Sequence, residues 1–461
     1  MQLNPRVFRE YDIRGRTDRD LGDEVVTRLG KAIGTLLVRD GRSNVVVGRD
    51  CRIHSPRLHA ALLAGLATTG LLVVDIGVSA TPMLYFAVHH LDAGGGIQIT
   101  GSHNPADDNG FKILRGKASI YGDEIQHLRL LVETSDFIEA EGPAAVRRDV
   151  SDAYIATIQE RIELGPRRMK VVVDAGNGVG GIGAQALRNL GFDVTSLYCE
   201  PDGRFPNHHP DPTIEANVVD LRREVARVGA EVGIAFDGDA DRLGVVDEHG
   251  RMVWGDQLMI LFARAILLEV PGATFVSEVK CSKALYDEIE RAGGKAVMWK
   301  VGHSLIKEKM KELDAQLAGE MSGHIFFRHR WYGFDDAIYA AARLLELLST
   351  SGMTLAEHVD TLPQVFNTPE IRYAVSDDLK FEIVRLALAL FRETLEVNGL
   401  DGARITWPHG GGWALVRASN TQAALVLRFE APSKERLEEL RGYVEHELRQ
   451  IEARLVAGQS T

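Results

Sequence analysis

At 461 residues the chain is too long for one compact core, and its length predicts three or four domains. With 45% hydrophobic and 26% charged residues and no low-complexity run, its composition is that of a folded protein. The formal net charge of -12 sets aside a general nucleic-acid or acidic-membrane surface, which needs a basic field, but leaves room for a few Arg and Lys to bind a small anion in one cleft.

In chain order, residues 1–16 are charged and lack the apolar centre of a secretory signal. A strand is expected at 44–48 (NVVVG), a helix at 56–69 and a strand at 71–76 (LLVVDI). The apolar stretch 60–74 is short and broken by Gly65, Thr68, Thr69 and Gly70, so it reads as buried helix and strand rather than a membrane span. The same strand–helix–strand set returns at 169–174, 181–190 and 194–199, and again at 274–279, 282–292 and 296–300. Each is a βαβ unit with parallel strands. Each continues with a helix (82–91, 216–228, 304–313) and a further short strand (96–100, 232–236, 315–318). Straight after that strand comes a polar loop: TGSHNP, DGDADR and GEMSGH. One unit of topology is used three times.

From about residue 362 the pattern changes to strand 370–373, helix 379–395, strands 403–407, 412–416 and 423–429, and helix 434–455. Adjacent strands replace alternation, which predicts an α+β domain with an antiparallel sheet. The expected fold is α/β: three similar mixed-sheet domains (1–148, 149–249, 250–361) and a C-terminal α+β domain (362–461). Cys51, Cys199 and Cys281 are widely spaced with no CxxC, so they suggest neither a disulfide framework nor a zinc site and suit a reducing, cytoplasmic compartment.

Four polar loops carry candidate chemistry. Asp237, Asp239 and Asp241 alternate, so three hard oxygen donors point one way, as Mg²⁺ requires. An EF-hand would use Glu248 at its twelfth position, but Arg242 stands where its glycine is needed, and strands flank the loop. Ser102 lies on a Gly-containing loop at a strand end, without a nucleophile elbow. As a phosphate acceptor it has His103 and Lys112 near in sequence for proton and charge. Glu320 and Ser322 suit adjacent sugar hydroxyls, and Arg417 with Ser419, Asn420 and Thr421 in a hairpin turn forms a plausible phosphate grip. Each of these loops read alone is also an ordinary polar turn. Gly176, Gly178 and Gly181, with Glu200, match a dinucleotide fingerprint, but the lead-in is atypical and the equivalent turns of the other units lack the glycines. The pairs His89-His90 and His208-His209 point apart on a helix or strand and read as core or surface residues rather than metal ligands.

In this order, TGSHNP, DGDADR, GEMSGH and RASNTQ resemble the α-D-phosphohexomutases, and specifically their bacterial phosphomannomutase/phosphoglucomutase branch. The resemblance runs along essentially the whole chain and includes FREYDIRG (8–15), DNGFKI (108–113), FPNHHPDP (205–212), VKCSKAL (279–285) and WKVGHSLIK (299–307). It implies four domains around a central cleft, a phosphorylated Ser102, and Mg²⁺ held by Asp237, Asp239, Asp241 and that serine. It implies ligand contacts from Tyr11, Arg14, Lys280, His303, Glu320, Ser322, Arg417, Ser419, Asn420 and Thr421. Lys112 and His303, with Arg242 nearby, are the implied groups for proton transfer and charge stabilisation.

The reaction so implied is phosphoryl transfer between C1 and C6 of mannose or glucose phosphates, through a hexose 1,6-bisphosphate that turns over in the cleft. The partner is a small phosphosugar, without nucleic acid or membrane, and the chain is expected as a monomer or weak dimer. Alternatives are a phosphoglucosamine mutase, a Mg²⁺-dependent sugar phosphatase and a non-catalytic sugar-phosphate sensor.

Overall fold

The structure is a computed structural model that describes residues 3–419 and 423–459. The first unit contains β1 (Asn44–Arg49), α1 (Ser55–Leu66), β2 (Leu72–Val78), α2 (Thr81–His90), β3 (Gly95–Ile99) and β4 (Asp108–Arg115). The second contains β5 (Lys170–Asp174), α3 (Gly181–Asn189), β6 (Asp193–Leu197), α4 (Val219–Val228), β7 (Val232–Phe236) and β8 (Leu243–Asp247). The third contains β9 (Thr274–Glu278), α5 (Lys283–Arg291), β10 (Lys295–Trp299), α6 (His303–Glu312), β11 (Leu317–Gly319) and β12 (Ile325–Phe327).

The three sheets repeat one pattern. Their strand orders are β4-β3-β1-β2, β8-β7-β5-β6 and β12-β11-β9-β10. In each, the first three strands of the unit are parallel and the fourth runs antiparallel to the third. The inner strands bury Val-rich stretches, Val45–Val47 in β1 and Val171–Val173 in β5, as covered parallel strands require. The polar loops all occupy the same topological place, after the third strand and before the antiparallel fourth. A parallel sheet presents ligands at its carboxyl edge, so three equivalent loops can face one cleft.

The fourth domain is antiparallel, as expected. It holds β13 (Ile371–Ala374), α7 (Lys380–Arg392), β14 (Ala403–Thr406), β15 (Trp413–Ala418), β16 (Ala424–Ala431) and α8 (Lys434–Gln459). Two short strands absent from the sequence reading, Phe366–Asn367 and Glu396–Asn398, complete its sheet. Arg417 lies in β15 rather than in the turn after it, because the strand runs two residues further than its apolar pattern suggests. Several helices also lie outside the repeated pattern, including Asp23–Arg39, Gly255–Glu269 and Ala337–Thr350.

The core is divided unevenly. One buried apolar cluster joins α2 of the first domain (Leu84, Phe86, Val88) to the second-domain sheet (Val171, Ile234) and third-domain helices (Ile260, Ile338). The fourth domain keeps its own core, and among the described residues a small apolar cluster of Val279, Trp413 and Leu415 bridges it to the third.

Candidate active site

Ser102 sits in a strained loop held by buried polar bonds. Its φ is +47°, a left-handed value that non-glycine residues rarely adopt, and Thr100 Oγ1 accepts its backbone N–H at 2.9 Å. Arg52, fully buried, donates to the carbonyls of Ser102 (2.8 Å), Asn104 (2.6 Å), Pro105 (2.6 Å) and Asp108 (3.0 Å). Asp50 accepts the Gly101 N–H at 3.0 Å on the same side. These bonds fix the loop so that the hydroxyl of Ser102 donates to Asp237 Oδ2 at 2.6 Å, with His103 Nδ1 3.0 Å from the same oxygen. The approach of the two loops depends on Gly238, where a Cβ would stand 2.4 Å from the Ser102 carbonyl oxygen.

Asp237, Asp239 and Asp241 are all buried and offer carboxylate oxygens within 4.8 Å of one another. Asp237 Oδ1 accepts the N–H groups of Asp241 and Arg242, each at 3.1 Å. Thr81 Oγ1 donates to Asp239 Oδ2 at 2.6 Å. Lys112 joins Asp239 at 2.9 Å and also pairs closely with Asp241. Burial, then the charges of Asp239 and Asp241, push the Asp237 carboxyl well above its ordinary range. Asp239 Oδ1 is buried with no hydrogen-bond partner among the described residues. An all-oxygen set of three converging carboxylates with one orphaned carboxylate oxygen fits Mg²⁺.

The third-domain loop adds a buried ion pair. His324 Nδ1 lies 2.6 Å from Glu320 Oε2, and its Nε2 lies 3.2 Å from Asp241 Oδ1. Burial disfavours the imidazolium, but Asp241 and Glu320 together outweigh it and hold His324 up at about 9. Burial likewise opposes Glu320 ionisation, and the His324 bond and charge, with Lys280 and the Gly302 N–H, overcome it to hold that carboxyl at about 2. Ser322 Oγ donates to Glu320 at 3.3 Å. His303 opens α6, and burial, reinforced by Lys307 and Lys112, keeps its imidazole well below its ordinary value. Its Nδ1 lies 3.9 Å from Asp335 Oδ2, and both atoms are buried without a hydrogen bond among the described residues.

The remaining expected residues frame this centre. Arg14 donates to Asn104 Oδ1 at 2.6 Å and pairs with Asp12. Tyr11 donates to the Val301 carbonyl at 2.8 Å. Lys280 lies between Glu278 (3.5 Å) and Glu370 (3.3 Å), thereby joining the third and fourth domains. Arg417 Nε donates to Asp401 Oδ2 at 2.9 Å, and Ser419 is buried beside it. Asn420 and Thr421 lie outside the described residues. The first three loops therefore meet through direct side-chain contacts, and Arg417 approaches them through Asp401 and the Val301 segment.

Sequence reasoning missed several participants. Arg52, Thr81, Glu278, Asp335 and Asp401 sit in stretches without a local chemical pattern. His324 belonged to the GEMSGH loop but drew no role of its own. The glycine-rich turn proves to be a packing device, since a Cβ at Gly178 would stand 2.6 Å from the Gly238 carbonyl oxygen. His208 lies 3.0 Å from Asp174, and His89 packs on Tyr332. The cysteines are free.

A four-domain array that brings a serine hydroxyl against a buried acidic triad, with Glu320 and His324 alongside, has the parts of a phosphoryl-transfer protein. Family models cover nearly all of it: phosphoglucomutase/phosphomannomutase alpha/beta/alpha domain I matches residues 5–139, domain II 152–250, domain III 254–366 and the C-terminal domain 370–447. The chain belongs to the phosphoglucomutase/phosphomannomutase family. It is 45% identical to a phosphomannomutase/phosphoglucomutase of Pseudomonas aeruginosa, across 98% of this chain and 97% of that one. A Neisseria gonorrhoeae phosphoglucomutase is 43% identical, covering 94% and 95% of the two chains. The crystal structure of a phosphoglucomutase/phosphomannomutase family protein from Burkholderia thailandensis superposes with a TM-score of 0.91 at 39% identity, covering 98% of each chain.

Proposed function

We propose that the chain is a Mg²⁺-dependent phosphomannomutase/phosphoglucomutase: an isomerase that moves a phosphoryl group between C1 and C6 of mannose and glucose phosphates. The observation that carries this reading is the Ser102 hydroxyl 2.6 Å from Asp237, at the edge of a buried three-aspartate cluster. The domain limits 1–148, 149–249, 250–361 and 362–461 belong to the same proposal.

Asp237, Asp239 and Asp241, with the substituent on Ser102, would hold the ion. Bound there, Mg²⁺ supplies positive charge to the oxygens of the transferring phosphoryl group. The chain's own residues do the rest. In phosphorylated Ser102 the P–Oγ bond breaks as a hexose hydroxyl oxygen bonds to phosphorus, and the hydroxyl proton passes to a base. His303, kept neutral by burial, suits that role. Lys112 is held protonated: burial opposes its charge, but Asp239 and Asp241 outweigh burial, so it contributes positive charge rather than a base. His103 and Arg242 flank the transfer point, and Glu320 and Ser322 bind hydroxyls that exchange places when the ligand turns. Arg417, with Ser419, Asn420 and Thr421, grips the phosphate that is not transferred. Tyr11, Arg14 and Lys280 line the cleft. The hexose 1,6-bisphosphate turns end over end, and its other phosphoryl group returns to Ser102 Oγ.

The substrate is a small phosphosugar. No helix among the described residues is long and apolar enough to cross a membrane. We place the enzyme in the cytoplasm, as a monomer or weak dimer without a nucleic-acid or membrane partner. Coupled assays with glucose, mannose and glucosamine 1-phosphates, primed with bisphosphate, test the reading. Turnover of the first two without stoichiometric release of inorganic phosphate is expected. Preference for the amino sugar, or phosphate release matching substrate loss, would favour the mutase or phosphatase alternatives instead.

A further inference from the structure

We propose that Asp401 is a positioning residue that sets the guanidinium of Arg417 and anchors it to the third domain at Val301. The inference rests on the phosphate-grip reading of Arg417 given above. Asp401 lies in the turn between Glu396–Asn398 and β14. Gly402 follows it with φ +92°, and a Cβ there would stand 2.5 Å from the Val416 carbonyl oxygen and 3.0 Å from the Arg417 Cα. The turn is therefore pressed onto β15 at the residue it serves.

One carboxylate oxygen does two things. Asp401 Oδ2 accepts Arg417 Nε at 2.9 Å, inside the fourth domain, and the Val301 backbone N–H at 2.9 Å, across the domain boundary. The Val301 carbonyl in turn accepts the Tyr11 hydroxyl at 2.8 Å, and Gly302 N–H donates to Glu320 Oε1 at 2.9 Å. A short piece of main chain just before His303 thus links the anion grip, the first-domain loop and the sugar loop. Arg417 is buried, and the Asp401 side chain is only 19% exposed, so the bond is shielded from water.

Charge alone argues against an aspartate here. A carboxylate beside a phosphate site repels the ligand, so an aspartate that acted only as a nearby charge would weaken binding. An aspartate that orients the guanidinium strengthens binding, because a fork already aimed loses less freedom when it engages the anion. The two accounts give opposite signs for the same substitution. Asn keeps an oxygen for Val301 N–H and removes the charge that holds Arg417.

The experiment is steady-state kinetics of Asp401→Asn, Arg417→Gln and the double variant with glucose 1-phosphate. Asp401→Asn is expected to raise KM about tenfold, the loss of charge assistance in the bond to Arg417, while kcat stays within about threefold. The double variant should bind no worse than Arg417→Gln alone, since Asp401 acts through Arg417. An unchanged or lowered KM for Asp401→Asn, or additive losses in the double variant, would overturn the inference. If Arg417→Gln itself leaves KM unchanged, the phosphate-grip reading fails first and takes this one with it. Should Asp401→Asn not fold, Asp401→Glu keeps the charge but displaces it: a raised KM supports the proposal, and an unchanged one overturns it.

Discussion

The first three domains are joined to one another quite differently from the way the fourth joins them. A continuous apolar cluster runs from α2 through the second-domain sheet into the helices of the third domain. The fourth domain meets the third through three buried apolar residues and a polar set. In that set Arg404 and Arg428 donate to the backbone of residues 279–281, the Lys283 N–H donates to Glu430 Oε1 at 3.1 Å, and Lys280 reaches Glu370. The transfer centre is built across the fused boundary, where Ser102, the aspartates and Lys112 already touch. Arg417, bonded to Asp401 and proposed to grip the phosphate, stands across the other boundary. Breaking a P–O bond demands fixed geometry, whereas a ligand that must turn over demands a grip that releases.

The sharpest ways to break that contrast lie at the fused side. Ser102→Ala removes the phosphoryl carrier and should lower kcat at least about 1,000-fold while the fold and ligand binding persist. Turnover near the wild-type rate, measured in the coupled assay, would end the carrier assignment. Asp239→Ala should cost about 100- to 1,000-fold and abolish the response to added Mg²⁺. For the unaltered protein, chelation should silence activity and Mg²⁺ should restore it. An Asp239 variant with the wild-type Mg²⁺ titration would remove that residue from the metal set.

At the separable side the expected losses are smaller and of another kind. Arg417→Ala should raise KM about tenfold or more with a modest change in kcat, because it removes binding rather than chemistry. A fall confined to kcat would place Arg417 at the transfer centre instead. The smallest effect is a titration. Burial, with Lys307 and Lys112 adding to it, lowers the His303 value, so the imidazole should stay neutral as pH falls through the ordinary histidine range of about 6.5. The imidazole NMR signal lost in His303→Asn should therefore titrate below that pH. A midpoint at or above it would contradict a neutral proton acceptor.

The alternating βαβ pattern and the three loops were legible because periodicity and local chemistry act over a few residues. The strand expected at Val232–Phe236 matches to the residue, since an apolar run bounded by Glu231 and Asp237 leaves little choice. That Ser102 and Asp237 share one site is implied by the family resemblance, and the Ser102 hydroxyl lies 2.6 Å from Asp237 Oδ2. What was hidden acts at long range. Arg52 reads as one charge in a turn, yet it binds four carbonyls in the loop of residues 102–108, some fifty residues away. Asp401 is an unremarkable turn residue until Val301 is brought beside it by folding. Arg417 was assigned to a turn because the end of a strand in a hairpin is set by cross-strand pairing with Val426, which local hydrophobicity does not report.

The account depends most on Ser102 being the site that carries the phosphoryl group. Incubating the dephosphorylated enzyme and its Ser102→Ala variant with Mg²⁺ and glucose 1,6-bisphosphate, then mapping phosphate by peptide mass spectrometry, tests this directly. One phosphate on the peptide containing Ser102, lost in the variant along with mutase activity, is the expected result. Phosphate on another residue, or an active variant that carries none, would contradict it.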